Sequence, residues 1–148
     1  MKDMIEKTIW IDAPLQAVWS ALVDAGEFGT WFRAKVEGPL EKDRTVWLES
    51  LSKGHEGVRF WLRPVRFDEP NQFEFDWPAG DAPTDADPQK SQTNRVTFDL
   101  AEEGGGTRVT VTESGFASLP KEIAERKYPD NTKGWEIQLE NIKAHVEG

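Results

Sequence analysis

The chain contains no cysteine. That one absence excludes disulfides, thiolate-bound metals and cysteine nucleophiles together, and it suits a reducing, cytoplasmic setting. Histidine is almost as scarce, and neither His55 nor His145 has a companion at a metal-ligand spacing such as H-x-x-x-H. Long apolar runs are missing too. No segment approaches the roughly 18 apolar residues of a membrane span, and the opening Met1-Lys2-Asp3-Met4 has no apolar stretch of the kind a secretion signal carries. Positive charge is in the minority, with 18 Lys and Arg against 27 Asp and Glu and a net charge of −9. Such a field repels phosphate backbones and anionic membranes, so nucleic acid is not an expected partner, and solubility accounts for the surplus. No Gly-x-Ser-x-Gly, phosphate loop or dinucleotide fingerprint occurs, so no cofactor is expected. What the chain has in quantity is large rings: seven Trp and eight Phe beside a single Tyr.

The hydrophobic pattern changes period along the chain. Met4 to Ile11 places Ile5, Ile9 and Ile11 on one parity and reads as a strand. Asp12-Ala13-Pro14 signals a helix start, with Asp12 as a nearby capping carboxylate and proline in the first turn. Leu15, Val18, Trp19 and Leu22 form one stripe on a short helix that Gly26 is expected to end. A second short helix carries Phe28, Trp31 and Phe32. From about residue 33 to 116 the period becomes two. Short strands are expected at 34–37 and 45–51, and a long one after Gly57 sets Val58, Phe60 and Leu62 against Arg59, Trp61 and Arg63. At Pro64 the apolar parity shifts by one residue, which predicts a bulge or edge irregularity. Phe73, Phe75 and Trp77 alternate with Glu74 and Asp76; Val96, Phe98 and Leu100 repeat the pattern, and so do Val109 and Val111 after a turn at Gly104 to Gly106. These read as an antiparallel meander with one covered face. The cover is a C-terminal helix with Trp135, Leu139, Ile142 and Val146 on one stripe, its expected cap at Asn131 or Thr132. No repeat or linker interrupts the order, so residues 1–148 are read as one domain.

Several of these pieces, in this order, resemble the START-like (SRPBCC) superfamily, and within it the activator of heat-shock protein 90 ATPase homologues. The resemblance is carried by Ile11-Asp12-Ala13-Pro14 with Val18-Trp19, by Trp31, by Phe75-Asp76-Trp77, by the run Thr107 to Glu113, and by Gly134-Trp135. It implies an α+β helix-grip fold: an antiparallel curved sheet wrapped around a long C-terminal helix, with two short helices after the first strand. It also implies a hydrophobic molecule held between sheet and helix. Eukaryotic co-chaperones of the closer family carry a further N-terminal domain that engages the chaperone; the sequence shows no such domain, so chaperone activation does not come with the resemblance.

On the inward parities, Trp31, Phe60, Phe75, Trp77 and Phe98 face Trp135 and Leu139 of the helix, as the wall of an apolar pocket or as simple core. Glu113 shares the parity of Val109 and Val111. At a pocket mouth it could anchor a hydroxyl or transfer a proton; the ordinary expectation is that its strand is emerging into solvent there, or that it pairs with a basic neighbour. Asn94 is a second polar candidate on an apolar parity. His55, between two glycines, reads as a solvated turn residue. Arg59, Trp61 and Arg63 could stack as a cation–π ladder, although a lattice with Glu74 and Asp76 is the expected arrangement. The loop from Pro78 to Ser91, holding Asp81, Asp85 and Asp87, lacks the ligand order of a calcium loop and fits a lid. Three functions follow: a binder of a small apolar molecule, a stress-related or chaperone-associated module that contacts a protein partner, and a cyclase-type enzyme using Glu113.

Overall fold

The computed structural model describes residues 3–79 and 87–148. Strand β1 (Met4–Ile11) leads into helices α1 (Leu15–Val23) and α2 (Ala25–Phe32). Six strands follow: β2 (Ala34–Val36), β3 (Val46–Ser50), β4 (Arg59–Asp68), β5 (Gln72–Pro78), β6 (Thr93–Glu103) and β7 (Gly106–Ser114). After a 3-10 turn at Phe116–Ser118, helix α3 (Lys121–Glu147) closes the chain. The strands form one antiparallel sheet in the order β1-β7-β6-β5-β4-β3-β2, curved around α3 in a helix-grip arrangement.

Alternation decides which side chains enter. Across the sheet, Phe75 faces Val96, Val96 faces Glu113, and Glu113 faces Ile5; in the next row Phe73 faces Phe98 and Phe98 faces Val111. All of them are buried. Helix α3 lays Trp135, Leu139 and Ile142 on this face, and α2 adds Phe28 and Trp31. Burying each such ring contributes on the order of 2–3 kcal/mol. The register slips between Pro64 and Arg66, leaving Val65 as the extra residue, so the parity shift does mark a bulge. Gly104 and Gly105 both take positive φ, as a two-residue hairpin loop requires. Gly106 opens β7 against β1, where an added Cβ would land on the Ile11 carbonyl and the Trp10 ring.

Four local expectations are overturned. Gly26 lies inside α2; Asp24 ends α1 and caps α2 by accepting the Glu27 N–H at 2.9 Å. Asp12 caps nothing: Pro14 is the N-cap residue of α1, with no side-chain bond to the helix. Helix α3 begins ten residues earlier than Asn131, because the helix runs through Pro129 at the cost of one backbone hydrogen bond. On β4, Trp61 is 2% exposed despite its outward parity. It lies across from Trp47 in the strand register, with Arg63 5.2 Å from the Trp61 ring and Arg59 4.8 Å from the Trp47 ring. Neither the Arg59–Trp61–Arg63 ladder nor the lattice with Glu74 and Asp76 forms: Arg59 pairs with Glu37 at 2.8 Å, Asp76 binds Arg95 at 2.9 Å, and Glu74 accepts from Thr97 at 2.8 Å.

Candidate functional site

Glu113 is 1% exposed, so its strand has not emerged into solvent. Its carboxylate accepts hydrogen bonds from four side chains on three elements. Trp135 Nε1 of α3 donates to Oε1 at 2.8 Å. Trp77 Nε1 of β5 and Asn94 Nδ2 of β6 donate to Oε2, each at 3.0 Å. Asn131 Nδ2 of α3 lies 3.2 Å from both oxygens. An ionised carboxylate only accepts, and every group that faces it here is an N–H donor, so the set is matched. These bonds tie β5, β6, β7 and α3 at one point. The remaining Asn94 atom, Oδ1, has no partner among the described residues and is pressed against Gly115, where an added Cβ would lie 2.5 Å away.

Trp77, Asn94 and Asn131 are also the inner wall of a cleft of about 440 Å³. Phe32 at the end of α2, Trp47 and Ser50 on β3, and Arg59, Phe60 and Trp61 on β4 make one side. Phe116, Leu119 and Lys127 make the other, with His55, Val58, Pro78 and Ala79 at the rim. Its aromatic walls are braced by ring contacts, Phe32 to Phe60 at 5.7 Å, Phe32 to Trp77 at 6.3 Å and Trp77 to Trp135 at 5.5 Å. Two further hollows, a larger one of about 520 Å³ beside α2 and one of about 380 Å³ beside the β4 bulge, are not lined by any of the residues that bond Glu113.

The structure divides the residues singled out from the sequence. Phe60 and Trp77 line the cleft, and Asn94 and His55 join them. Trp31, Phe75, Phe98 and Leu139 are packed inside the core, as is Trp135 apart from its bond to Glu113. Phe98 meets Trp135 at 5.8 Å and Trp31 at 6.4 Å, and Trp31 donates its N–H to the Ala21 carbonyl at 2.7 Å. The space between the middle of the sheet and the helix is thus filled, and the cleft lies at one end of the grip. The sequence offers Asn131 only as a helix cap and gives Lys127 no part, because Pro129 looks like a helix boundary; read through Pro129, the spacing Lys127, Asn131, Trp135 is one helical row. Of the proposed lid, residues 80–86, including Asp81 and Asp85, lie outside the described residues. Among the described residues no group of three His, Cys, Asp or Glu could hold a metal, and no helix is long and apolar enough to cross a membrane.

Residues 12–147 match the family model described as Activator of Hsp90 ATPase homolog 1-like protein. The chain belongs to this family. Solved structures share the fold at low identity: a protein from Arthrobacter aurescens at 18% identity and TM-score 0.81, covering 98% of this chain and 86% of the other, and one from Mesorhizobium loti at 19% and 0.76, covering 97% and 96%. The Aha1 dimer of Colwellia psychrerythraea matches at 17% and 0.72, over 97% and 96%. Comparison with curated proteins finds no match. Family membership thus agrees with the architecture and supports a ligand-binding type of domain in general terms, while the details of the site rest on its own geometry.

Proposed function

We propose that the chain is one domain that binds a small, largely apolar molecule in the cleft between β3, β4, the end of β5 and the first half of α3. The observation that carries this reading is the cleft itself. Its volume of about 440 Å³ lies within the range of roughly 300–1,000 Å³ typical of small-molecule sites, and a few convergent polar groups interrupt its aromatic walls. Ser50 and Asn131 supply those groups. Glu113 supports the reading from behind. A proton-transfer residue must come within about 2.6–3.2 Å of the atom it serves, whereas Glu113 is enclosed by donors that stand between it and the cleft. Its role is to position Trp77, Asn94 and Asn131, which gives the cyclase reading less support.

A surface-borne, chaperone-associated function finds less support as well. Among the described residues the large exposed apolar side chains are divided among β1 (Met4, Trp10), the β3–β4 connection (Leu51, Val58) and α3 (Ile137). Native mass spectrometry of freshly purified protein tests the binding reading: a co-purified adduct that is lost on denaturation is expected. Titration of hydrophobic probes that leaves every tryptophan indole resonance unmoved would overturn it.

A further inference from the structure

Taking the cleft as the binding site, we propose that its occupant is a neutral hydroxylated molecule: an apolar body whose O–H points inward and donates to the side-chain carbonyl of Asn131. The inner wall of the cleft is made by Trp77, Asn94 and Asn131, and Glu113 decides which end of each polar group is already spent. An ionised carboxylate only accepts. Trp77 therefore turns its N–H to Glu113 at 3.0 Å, which leaves ring carbon for the cleft. Asn94 is bound in the same way through Nδ2 at 3.0 Å. It is 1% exposed and its Oδ1 is enclosed against Gly115, so it offers a ligand nothing.

Asn131 differs. It is half-buried, and its Nδ2 lies 3.2 Å from both Glu113 oxygens. Its Oδ1 accepts no hydrogen bond among the described residues, yet unlike Asn94 Oδ1 it is not shut off from solvent. Turning this amide over would set Oδ1 against the carboxylate and lose both contacts, so Glu113 fixes its orientation. One accessible polar atom is left on the inner wall, and it is an acceptor. A ligand oxygen without hydrogen would meet it lone pair to lone pair, whereas an O–H completes a bond. The charge of Glu113 behind the wall acts in the same sense. Its partners among the described residues are all uncharged N–H groups, so no cation cancels it, and it favours the positive end of a donor dipole. Transfer from water into the ring-lined space costs an ammonium far more than a hydroxyl, which makes a neutral donor the better fit. Ser50, also in the lining, makes no such choice, because its hydroxyl turns to suit either kind of partner.

Two probes test the proposal, 2-naphthol and 2-methoxynaphthalene, which share the ring body and the oxygen and differ in the donor. Each is titrated calorimetrically into the full chain and into Asn131→Leu, and the ratio of the two affinities is compared, so that their different transfer from water cancels. We expect the preference for naphthol over the ether to fall about fivefold in Asn131→Leu, the worth of one neutral hydrogen bond. In the unaltered chain, naphthol should shift the side-chain amide resonances of Asn131 more than the ether does, and this readout decides the matter even if Asn131→Leu does not fold. An unchanged ratio in folded Asn131→Leu, or amide resonances that respond alike to both probes, would show that the donor head is wrong and leave the cleft reading standing. If neither probe binds the unaltered chain, the cleft reading itself falls.

Discussion

Glu113 occupies a position in β7 where alternation demands an apolar residue, and its row neighbours Val96 and Ile5 are apolar. A buried polar group is costly unless its hydrogen bonds are made, and here four side chains make them. Replacing it with Gln keeps the size but puts an amide NH2 where only donors converge, so at least one of the Trp77, Asn94, Asn131 and Trp135 bonds must be lost. Glu113→Gln is expected to destabilise the fold by about 1–3 kcal/mol, measured by chemical denaturation, and to move the indole N–H resonances of Trp77 and Trp135. Unchanged stability and unmoved indole resonances would show that the carboxylate does not hold the wall. At this scale the sequence was partly legible. Parity alone drew attention to Glu113 and Asn94, because a polar residue among inward positions stands out. It could not show the partners, since Trp77, Asn131 and Trp135 are brought to one carboxylate only by strand register and helix rotation.

Helix α3 shows what is legible in an element and what is not. Its stripe of Trp135, Leu139 and Ile142 is evident from period alone, and all three are buried. Its first ten residues are not, because Pro129 and a polar composition look like an end. Packing overrides that local signal: Ala124 is buried, and Tyr128 donates to the Met4 carbonyl at 2.9 Å. At its other end α3 is tied to the start of the chain. Glu147 Oε2 accepts the Asp12 N–H at 2.8 Å and pairs with Lys143, and these two contacts, the Lys143 one larger, hold the Glu147 carboxyl below the usual glutamate range. A carboxyl lowered in the folded state binds protons less readily than in the unfolded chain. Its contribution is therefore complete above the ordinary range of about pH 4–5 and is lost as pH falls through the lowered value. The melting temperature of Glu147→Gln should fall below that of the unaltered chain near neutrality, and the gap should close in acid. A gap that stays constant with pH would exclude this linkage.

Across the whole molecule, core and site are made from the same residue types, which is why sequence alone could not part them. Phe75, Phe98 and Phe60 all sit on inward parities, yet the first two are 0% exposed, while Phe60 is partly exposed and borders the cleft. Only the curvature of the sheet and the placement of α2 against α3 decide which ring becomes filling and which becomes wall. The difference is measurable. Phe98→Ala removes a ring that touches Trp31, Phe75 and Trp135, and should cost about 3–5 kcal/mol. Phe60→Ala should cost less and should weaken the binding of hydrophobic probes. Equal losses of stability with no change in binding would mean that the cleft wall is merely more core.

One consequence of the Glu113 cluster lies in optics. Trp77 and Trp135 are held 5.5 Å apart with their planes inclined by 33°, close enough for their electronic transitions to couple. The pair therefore acts as a single chiral chromophore with one ring at the cleft wall, and circular dichroism can register, without any label, a molecule that displaces Trp77.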